Sequence, residues 1–473
     1  MAPAAWVETA ARAVPRPAFA YALAAYLAVT VARAHEVVPF LSQLSPAKLS
    51  LLFVIGMLAT NPRQLPWGDL PRSTVAKFMF ATAILAVLSV PGAYWPGGSA
   101  KFLPYVYLQT FIVFVLVATA FVHRRTMWIG LHVFAFGAMA AAVLGFLVPP
   151  DRTGRFGIGR TYDPNDTAAF LVIALPFVFL LATESRRVRQ IAFVGIPIML
   201  AAIMKTGSRG GIVALALMIP FMLFYAPPRR RTTYIGLVAV CLAVFSATMT
   251  PELRKRFVAL FEQSDYNFHD RDGRKAVIKR GIGYMVANPV FGVGIDGFQY
   301  AEGATKRNEG EGVKYMNAHN AYVQIGAELG FGGLLCFVGT IVASWLGVRR
   351  VRKQRLGPEF DPVTSKREVG VATAALCALV GLSAAAMFLS TAYSPVTYFM
   401  FGLCAAIPLG APVAGRLVAA APASPALRRM ASASPSPRPA APARGAPQRV
   451  RGWLNGGRSR QTGPSRGRGG LNR

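Results

Sequence analysis

Two short segments of the sequence carry residue types that suit the binding of an anion and the transfer of a proton. The first runs from Lys205 to Gly211, where Arg209 precedes two glycines that let the backbone turn sharply or approach a ligand closely. Arginine presents a planar fork of N–H donors that matches phosphate oxygens, so Lys205 and Arg209 suit an anionic ligand. A plain turn with two surface cations has the same composition, and the sequence leaves both interpretations open.

The second segment begins at His319 and carries three further polar residues, which are Asn320, Gln324 and Glu328. At about 100° per residue these three fall on one stripe of a mostly apolar helix, which we predict over residues 319–347. A polar stripe in such a helix should face a bundle interior or a wet cavity. The positive end of a helix dipole lowers the pKa of a histidine, so we expect His319 to be neutral and able to accept a proton. A structural histidine is the alternative.

A third cationic residue, Arg274, opens a segment with helical periodicity. Apolar residues recur at helical spacing opposite the cations, which predicts a helix over 274–287 lying at the membrane interface. Asn288-Pro289 should end this helix. The glycines at 292 and 294 that follow could form a backbone nest for an anion, but they indicate a turn more strongly.

Further cations precede the residues around position 165. Arg160 and two arginines upstream of it come shortly before Asp163 and Asn165, either of which could equally cap the following helix. The acidic D-x-D at 270–272 superficially matches a motif that holds a metal ion and a nucleotide-sugar diphosphate. Nucleotide sugars are made in the cytoplasm, and we predict that these residues face away from it, so we expect no metal site.

Arg209, Arg274 and His319 together could catalyse the transfer of a sugar chain. Guanidinium groups would stabilise the charge that develops on a diphosphate leaving group. A neutral histidine would remove the proton of an attacking hydroxyl. This combination suits transfer from a lipid diphosphate to an acceptor alcohol. Because a permanently cationic pocket could replace a divalent metal, we expect neither a metal nor a cofactor, and the sequence contains no P-loop.

The composition of the chain indicates a membrane protein. Of the 473 residues, 54% are hydrophobic and 15% are charged, whereas a soluble domain carries about 25% charged residues. Apolar runs recur between Pro17 and Pro412, and in hydrocarbon they have to be helices because every backbone amide must be paired. We predict an all-α polytopic membrane protein with about twelve transmembrane helices and one large periplasmic loop between helices 9 and 10. The predicted spans are 17–34, 40–60, 73–91, 101–122, 126–148, 165–183, 191–206, 210–226, 232–249, 319–347, 370–391 and 395–415.

The distribution of basic residues predicts the orientation of the chain. With the N-terminus inside, 20 Lys and Arg residues fall in inner segments before the tail, against eight in the short outer segments. Both termini are then cytoplasmic, and the three candidate site segments face the periplasm. We predict helices 1–9 within 1–249, the periplasmic loop over 250–318, helices 10–12 within 319–415, and a disordered basic cytoplasmic tail over 416–473.

The two ends of the chain and the cysteines need separate interpretation. Arg12 and Arg16 precede an apolar run that ends in an A-x-A pattern, as in a signal peptide, but helices follow at once, so a retained first span is favoured. The tail holds 12 Arg and no acidic residue. We expect it to rest on anionic lipid headgroups and expect no nucleic-acid partner. All four cysteines fall inside apolar spans and form no C-x-x-C pair, so no disulfide framework or zinc site is indicated.

The order and spacing of these motifs resemble the O-antigen ligase and O-antigen polymerase family. The resemblance covers about residues 155–347. It rests on Thr206 to Gly211, on Arg274 followed by Asn288 to Gly294, on His319-Asn320 with Glu328-Leu329-Gly330, and on Asp163-Pro164-Asn165.

The resemblance implies a membrane-embedded glycosyltransferase of the GT-C type in the bacterial inner membrane. Such an enzyme uses undecaprenyl-diphosphate-linked glycan without a metal and inverts the anomeric carbon. The resemblance also implies diphosphate contact by Arg209 and Arg274, and a base or acceptor-activating role for His319. The chain departs from the family in lacking an aromatic residue soon after Arg274 and in its long Arg-rich tail.

Several functions fit these motifs. A ligase joins finished glycan to lipid A core, whereas a polymerase joins repeat units, and both present the same groups to the same pocket. We favour lipopolysaccharide ligation, with O-antigen or exopolysaccharide polymerisation as the alternative and protein glycosylation as a third. From another class, a lipid-linked-oligosaccharide flippase would need ionisable residues within the spans, and Glu328 is the main one that the predicted spans contain.

Overall fold

The computed structural model describes residues 15–31, 35, 45–147, 155–157, 162–226, 273–308, 315–357 and 362–419, with scattered residues between 231 and 246. Side chains are described up to 410, except those of 362–364. Residues Met1–Val418 form one compact unit. The predicted tail over 416–473 lies almost entirely outside the described residues.

The described chain is a succession of helices. A π-helical turn that includes Pro104 interrupts the fourth of them at Leu103–Tyr107. The helices are α1 (Pro17–Thr30), α2 (Pro46–Thr60), α3 (Thr74–Leu88), α4 (Pro96–Ala120), α5 (Arg124–Leu147), α6 (Pro164–Leu181), α7 (Arg186–Lys205), α8 (Arg209–Tyr225), α9 (Arg274–Ala287), α10 (Phe298–Asn308), α11 (Ala321–Arg355), α12 (Pro362–Ala386) and α13 (Pro395–Ala419).

Among the described residues, six helices are long and apolar enough to cross a membrane: α4, α5, α6, α7, α11 and most of α12. The 3-10 segment Pro62–Arg72 and α3, which meet at a bend of 92°, would add a seventh span. Four more helices are apolar but shorter: α1, α2, α8 and the first part of α13. The prediction of an all-α membrane protein is confirmed. The number of twelve spans stays a prediction, and the predicted span over 232–249 falls mostly outside the described residues.

The core of the bundle forms around α6. This helix packs against α5, α7, α8 and α12, and its side chains are buried from Thr167 to Leu181. The ring of Phe134 stacks on Phe399 with the centroids 4.5 Å apart, and it meets the edge of Phe177 at 5.6 Å. Where α8 crosses α6, a Cβ atom on Gly211 would lie 2.5 Å from that of Ala168, so the two helices approach more closely than alanine would allow. Small residues at such crossings are how helices pack in a lipid environment.

The connections between helices collect at two ends of the bundle. One end holds the turns at 206–208 and 387–394, and we call it the site end. At the other, which we call the basic end, the Glu368 carboxylate pairs with Arg124 and Arg355, and the Arg352 guanidinium lies over the Tyr225 ring. The sequence predicts that successive connecting segments alternate between the two sides of the membrane, and this grouping at two ends agrees with that.

The predicted helix over 319–347 differs from α11 in three respects. It begins at Ala321, because the side chain of Asn320 caps it. It continues to Arg355, because its basic last turns remain helical beyond the apolar residues that the hydropathy pattern detects. It is also broken at Gly330, whose φ of 70° and ψ of −168° are not helical.

A loop over 288–297 fills the break in α11. The N–H of Val293 donates to the carbonyl of Ala327 at 2.8 Å, and the N–H of Gly294 donates to that of Glu328 at 3.1 Å. These carbonyls would otherwise lack partners, as at any helix end. The glycine motif of this loop therefore forms a turn that binds carbonyls, as the sequence favoured, and these two amides are not free to form an anion nest.

Two glycines at this junction adopt backbone conformations that other residues adopt only with strain. Gly292 and Gly330 have φ values of 63° and 70°, in the region that residues with a Cβ atom avoid. A Cβ atom on Gly330 would lie 2.4 Å from the carbonyl oxygen of Pro289. That same oxygen accepts the N–H of Phe331 at 2.9 Å, which restarts the helix.

Candidate active site

The backbone of His319 is held in an uncommon conformation just before α11. Its φ is 49°, in the left-handed region that costs about 1–3 kcal/mol for a residue other than glycine. The N–H of His319 donates to Oγ of Ser390 at 2.9 Å, and the side-chain amide of Asn320 donates to the carbonyl of Met387 at 3.1 Å. The turn between α12 and α13 therefore fixes the position of His319.

Two charged residues from other helices flank the His319 side chain. Burial lowers the pKa of His319, Arg274 at the start of α9 lowers it further, and Asp163 before α6 acts in the opposite direction. The imidazole is therefore neutral near pH 7 and able to accept a proton. This direction agrees with the sequence-based expectation, although burial and Arg274 are the causes rather than a helix dipole.

Arg209 opens α8 directly after the tight turn that the sequence predicts. Ser208 caps the helix, with its side-chain oxygen accepting a backbone N–H of the first turn at 3.2 Å. A Cβ atom on Gly210 would lie 2.6 Å from that of Phe388, so the start of α8 presses on the α12–α13 turn. Arg209 and His319 are thus both anchored to the same turn.

Arg155 has a structural role that the sequence did not distinguish from anion binding. Its Nε atom donates to the carbonyl of Thr206 and its terminal nitrogen to the side-chain oxygen of Asn165, both at 2.8 Å. Asp163 is the N-cap of α6, because its carboxylate accepts the N–H groups of the next turn at 2.6 and 2.8 Å. Arg155 therefore joins the α7–α8 turn to the start of α6.

The structure describes one of the two other predicted diphosphate ligands, Lys205. The ammonium of Lys205 lies 4.9 Å from the centroid of the Phe146 ring, which is a cation–π contact at the end of α5. Arg160 lies outside the described residues, as does the acidic segment at 270–272. Their predicted roles stay predictions.

The members of the predicted polar stripe have separate environments. The side-chain oxygen of Asn320 accepts two N–H groups of the first helical turn, both at 3.0 Å. Glu328 is buried beside the Tyr393 hydroxyl, and its carboxylate accepts the N–H of Phe298 at 3.4 Å. Gln324 is half-buried, and its side-chain oxygen has no hydrogen-bond partner within the described part of the chain. The stripe thus combines a cap and a loop anchor with one buried amide oxygen that has no partner among the described residues.

Sequence reasoning missed an ion pair that orients α9. The guanidinium of Arg280 donates to both carboxylate oxygens of the fully buried Glu302 at 2.9 and 2.7 Å. The hydroxyl of Tyr284 donates to the same carboxylate at 2.9 Å. This network joins α9, which Arg274 opens, to α10. The i, i+4 spacing of Arg280 and Tyr284 was the available signal.

Residues 194–338 match the family model described as O-antigen ligase. This range contains Lys205, Arg209, Arg274 and His319, together with the broken part of α11. The chain carries an O-antigen ligase domain. The resemblance inferred from the motifs is therefore confirmed, and the match supports an enzymatic role. The comparison with curated proteins gave no match.

The O-antigen ligase domain combines a proton acceptor with permanent cations at the site end. His319 and Arg274 lie close enough for the guanidinium to lower the pKa of the imidazole, and Arg209 is anchored to the turn that holds His319. Among the described residues, no three His, Cys, Asp or Glu side chains are grouped as metal ligands would be. The arrangement can bind an anion and deprotonate a hydroxyl beside it.

Proposed function

We propose that the chain is a membrane glycosyltransferase that moves a glycan from an undecaprenyl-diphosphate carrier to an acceptor hydroxyl, in lipopolysaccharide ligation. The observation that carries this proposal is the neutral His319 beside Arg274 at the end of the bundle where Arg209 begins α8. The match to the O-antigen ligase family supports the same class of reaction.

In the proposed reaction, the acceptor hydroxyl gives its proton to a ring nitrogen of His319 while its oxygen bonds to the anomeric carbon of the glycan. The bond from that carbon to the diphosphate oxygen breaks, and its electron pair stays on the diphosphate. Arg209 and Arg274 stabilise this charge, with Lys205 and Arg160 adding to the cationic surroundings. Direct displacement inverts the anomeric carbon, and His319 then releases its proton to water. Neither a metal nor ATP takes part.

Supporting roles fall to the remaining polar residues of α11. Asn320, the residue after His319, binds the α12–α13 turn, and Glu328 accepts the N–H of Phe298, directly after the loop that follows α9. Gln324 lies about one turn from each of them on the same stripe, with a buried side-chain oxygen that has no partner among the described residues. We place the site on the periplasmic face of the inner membrane, with both termini in the cytoplasm, because the basic residues concentrate at the opposite end.

Polymerisation of O-antigen or exopolysaccharide is the alternative, because it makes and breaks the same kinds of bond. Deleting the gene separates the two. Loss of all long glycan from lipopolysaccharide supports ligation, whereas retention of a single repeat unit on the core supports polymerisation.

An assay with purified protein, lipid-diphosphate-linked glycan and candidate acceptors tests the transferase proposal. We expect turnover without ATP or added metal, reduced about 10²- to 10⁴-fold in His319→Ala. The half-buried His132 and the exposed Arg125 lie on α5, outside the site, so His132→Ala and Arg125→Ala are the matched controls and should keep their activity. A folded His319→Ala variant with full activity would contradict the catalytic assignment. Movement of intact lipid-linked glycan across a bilayer without transfer would indicate a flippase instead.

A further inference from the structure

Three aromatic rings from separate segments meet at the site end, outside the residues already assigned to the reaction. The centroids of Trp95 and Tyr300 are 4.5 Å apart, and those of Tyr300 and Tyr315 are 5.6 Å apart. Trp95 is 45% exposed and Tyr315 is 60% exposed, so the cluster is open to the surroundings. A Cβ atom on Gly98 would lie 2.2 Å from the indole of Trp95, so the ring packs against the start of α4.

The cluster is fixed to the loop that fills the break in α11. The N–H of Tyr94 donates to the carbonyl of Val293 at 2.8 Å, and the hydroxyl of Ser99 donates to that of Ile295 at 2.6 Å. Tyr315 precedes His319 by four residues, which an extended chain covers in about 14 Å. The segment that carries Trp95 is therefore tied to the loop, and Tyr315 lies close to the candidate active site in the chain.

A carboxylate and a carboxamide lie beside the rings. The side-chain amide of Gln299 lies 3.4 Å from both oxygens of Asp296. Burial and then the nearby carboxylate of Asp296 raise the pKa of Tyr300, which places that carboxylate near the phenol. Asp296 has a left-handed φ of 57°, a conformation that is costly away from glycine and frequent at functional sites.

We propose that Trp95, Tyr300 and Tyr315, with Asp296 and Gln299, form a saccharide-binding platform next to the active site. The C–H groups of a pyranose ring carry partial positive charge and stack on the negative face of an aromatic ring. The carboxylate and carboxamide bind the hydroxyl groups at the edge of the sugar. Rigid aromatic side chains lose little conformational entropy when they bind.

The charge of the platform distinguishes its ligand from the diphosphate. Burial raises the pKa of Asp296 to about 6, so the group is mostly ionised at pH 7 and repels an anion. The cationic site around Arg274 and His319 attracts one. The platform therefore takes the uncharged sugar units of a substrate, while the diphosphate lies on the arginines. This assignment rests on the proposed function, because it names where the saccharide chain of that reaction binds.

Binding of free saccharide tests the platform separately from turnover. Full-length protein in lipid nanodiscs is titrated with two probes: the saccharide released by mild acid from the lipid-linked glycan, and the acceptor saccharide freed of its acyl chains. The probe that binds identifies whether donor or acceptor occupies the platform. We expect Trp95→Ala and Tyr315→Ala each to weaken binding of that probe about three- to tenfold. Trp95→Phe, which keeps a ring, should lose less than Trp95→Ala.

The control variant is Tyr105→Ala. Tyr105 is 69% exposed near the same end of α4 but lies outside the cluster. Aromatic residues also anchor helices at membrane interfaces. If Trp95 acts only as such an anchor, Tyr105→Ala should weaken saccharide binding as much as Trp95→Ala does. That result, or the absence of binding to wild-type protein, would overturn the platform. If Trp95-dependent binding is seen in protein that shows no transfer, the proposed function fails and the platform stands. If Trp95→Ala binds the saccharide as wild-type protein does and the enzyme is active, the platform fails and the proposed function stands.

Discussion

At the scale of single residues, the protonation state of His319 is set by its neighbours. Burial and Arg274 both favour the neutral imidazole, and Asp163 partly opposes them. Protonation of this histidine would remove its ability to act as a base. The rate should therefore fall as the pH drops through the pKa of His319, which lies below its ordinary value.

Replacing Arg274 by Ala should move this acidic limb of the pH–rate profile to higher pH. The substitution removes a positive charge that disfavours the imidazolium, so the pKa of His319 rises. Lys275→Ala, an exposed neighbour on the same helix, is the control and should leave the limb in place. The measurement is the pH at the midpoint of the acidic limb of kcat/KM, which does not depend on the maximal value of kcat/KM. An unshifted limb in a folded Arg274→Ala variant would mean that His319 is not the titrating base.

The residue types of the candidate site could be read from the sequence, but their environments could not. The arginine and histidine motifs stand in the chain in recognisable order. The role of Arg155 was hidden because its partner Thr206 lies 51 residues away, and only the fold brings the two together. The partners of Arg280 and His319 were hidden for the same reason.

At the scale of elements, the break in α11 depends on one glycine. Gly330→Ala forces a Cβ atom into a left-handed backbone and to within 2.4 Å of a carbonyl oxygen. We expect the variant to be destabilised by about 1–3 kcal/mol and to lose activity, because the loop that fills the break directly follows α9, which Arg274 opens. Gly283→Ala is the matched control. Its Cβ atom would meet nothing within 4 Å, so thermal unfolding in detergent should show unchanged or slightly raised stability. Equal melting temperatures for the two variants would argue against strain at Gly330.

Helix positions were predictable where local signals mark them. The predicted bounds of α9 agree with the structure, because Gly273 and Asn288 interrupt its apolar periodicity at both ends. The break at Gly330 was not predictable in the same way. The apolar pattern continues through it, and the hydrogen bonds that stabilise it come from a loop that is distant in the chain.

At the scale of the whole molecule, Glu368 links helices at the basic end. Its carboxylate pairs with Arg124 of α5 and with Arg355 of α11, whose side chain is 4% exposed. Glu368→Ala should lower the free energy of unfolding by about 3 kcal/mol, because it leaves a buried guanidinium without its carboxylate. Arg72, 74% exposed and paired with Asp69, gives the control. Arg72→Ala should cost less than about 1 kcal/mol in the same chemical denaturation experiment. Similar losses of unfolding free energy in Glu368→Ala and Arg72→Ala would contradict the stabilising role of Glu368.

The class of fold followed from composition, whereas the number of twelve spans stays a prediction. Apolar runs and the scarcity of charge require membrane helices. Helices α1 and α2 have 14 and 15 residues, which correspond to about 21 and 23 Å and fall short of a hydrocarbon core of about 30 Å. Hydropathy averages over such lengths and does not show where a helix stops.

Because of the break at Gly330, the position of the candidate active site does not have to change with the thickness of the bilayer. Beyond it, residues 331–355 form a rod of about 37 Å, which can tilt when lipid acyl chains are shortened. The nine residues Ala321–Leu329 are instead joined to the 288–297 loop by backbone hydrogen bonds. That loop is tied to Tyr94, between α3 and α4, and to Ser99 in the first turn of α4. A change of lipid therefore tilts residues 331–355, while the residues before Gly330 keep their positions beside the 288–297 loop.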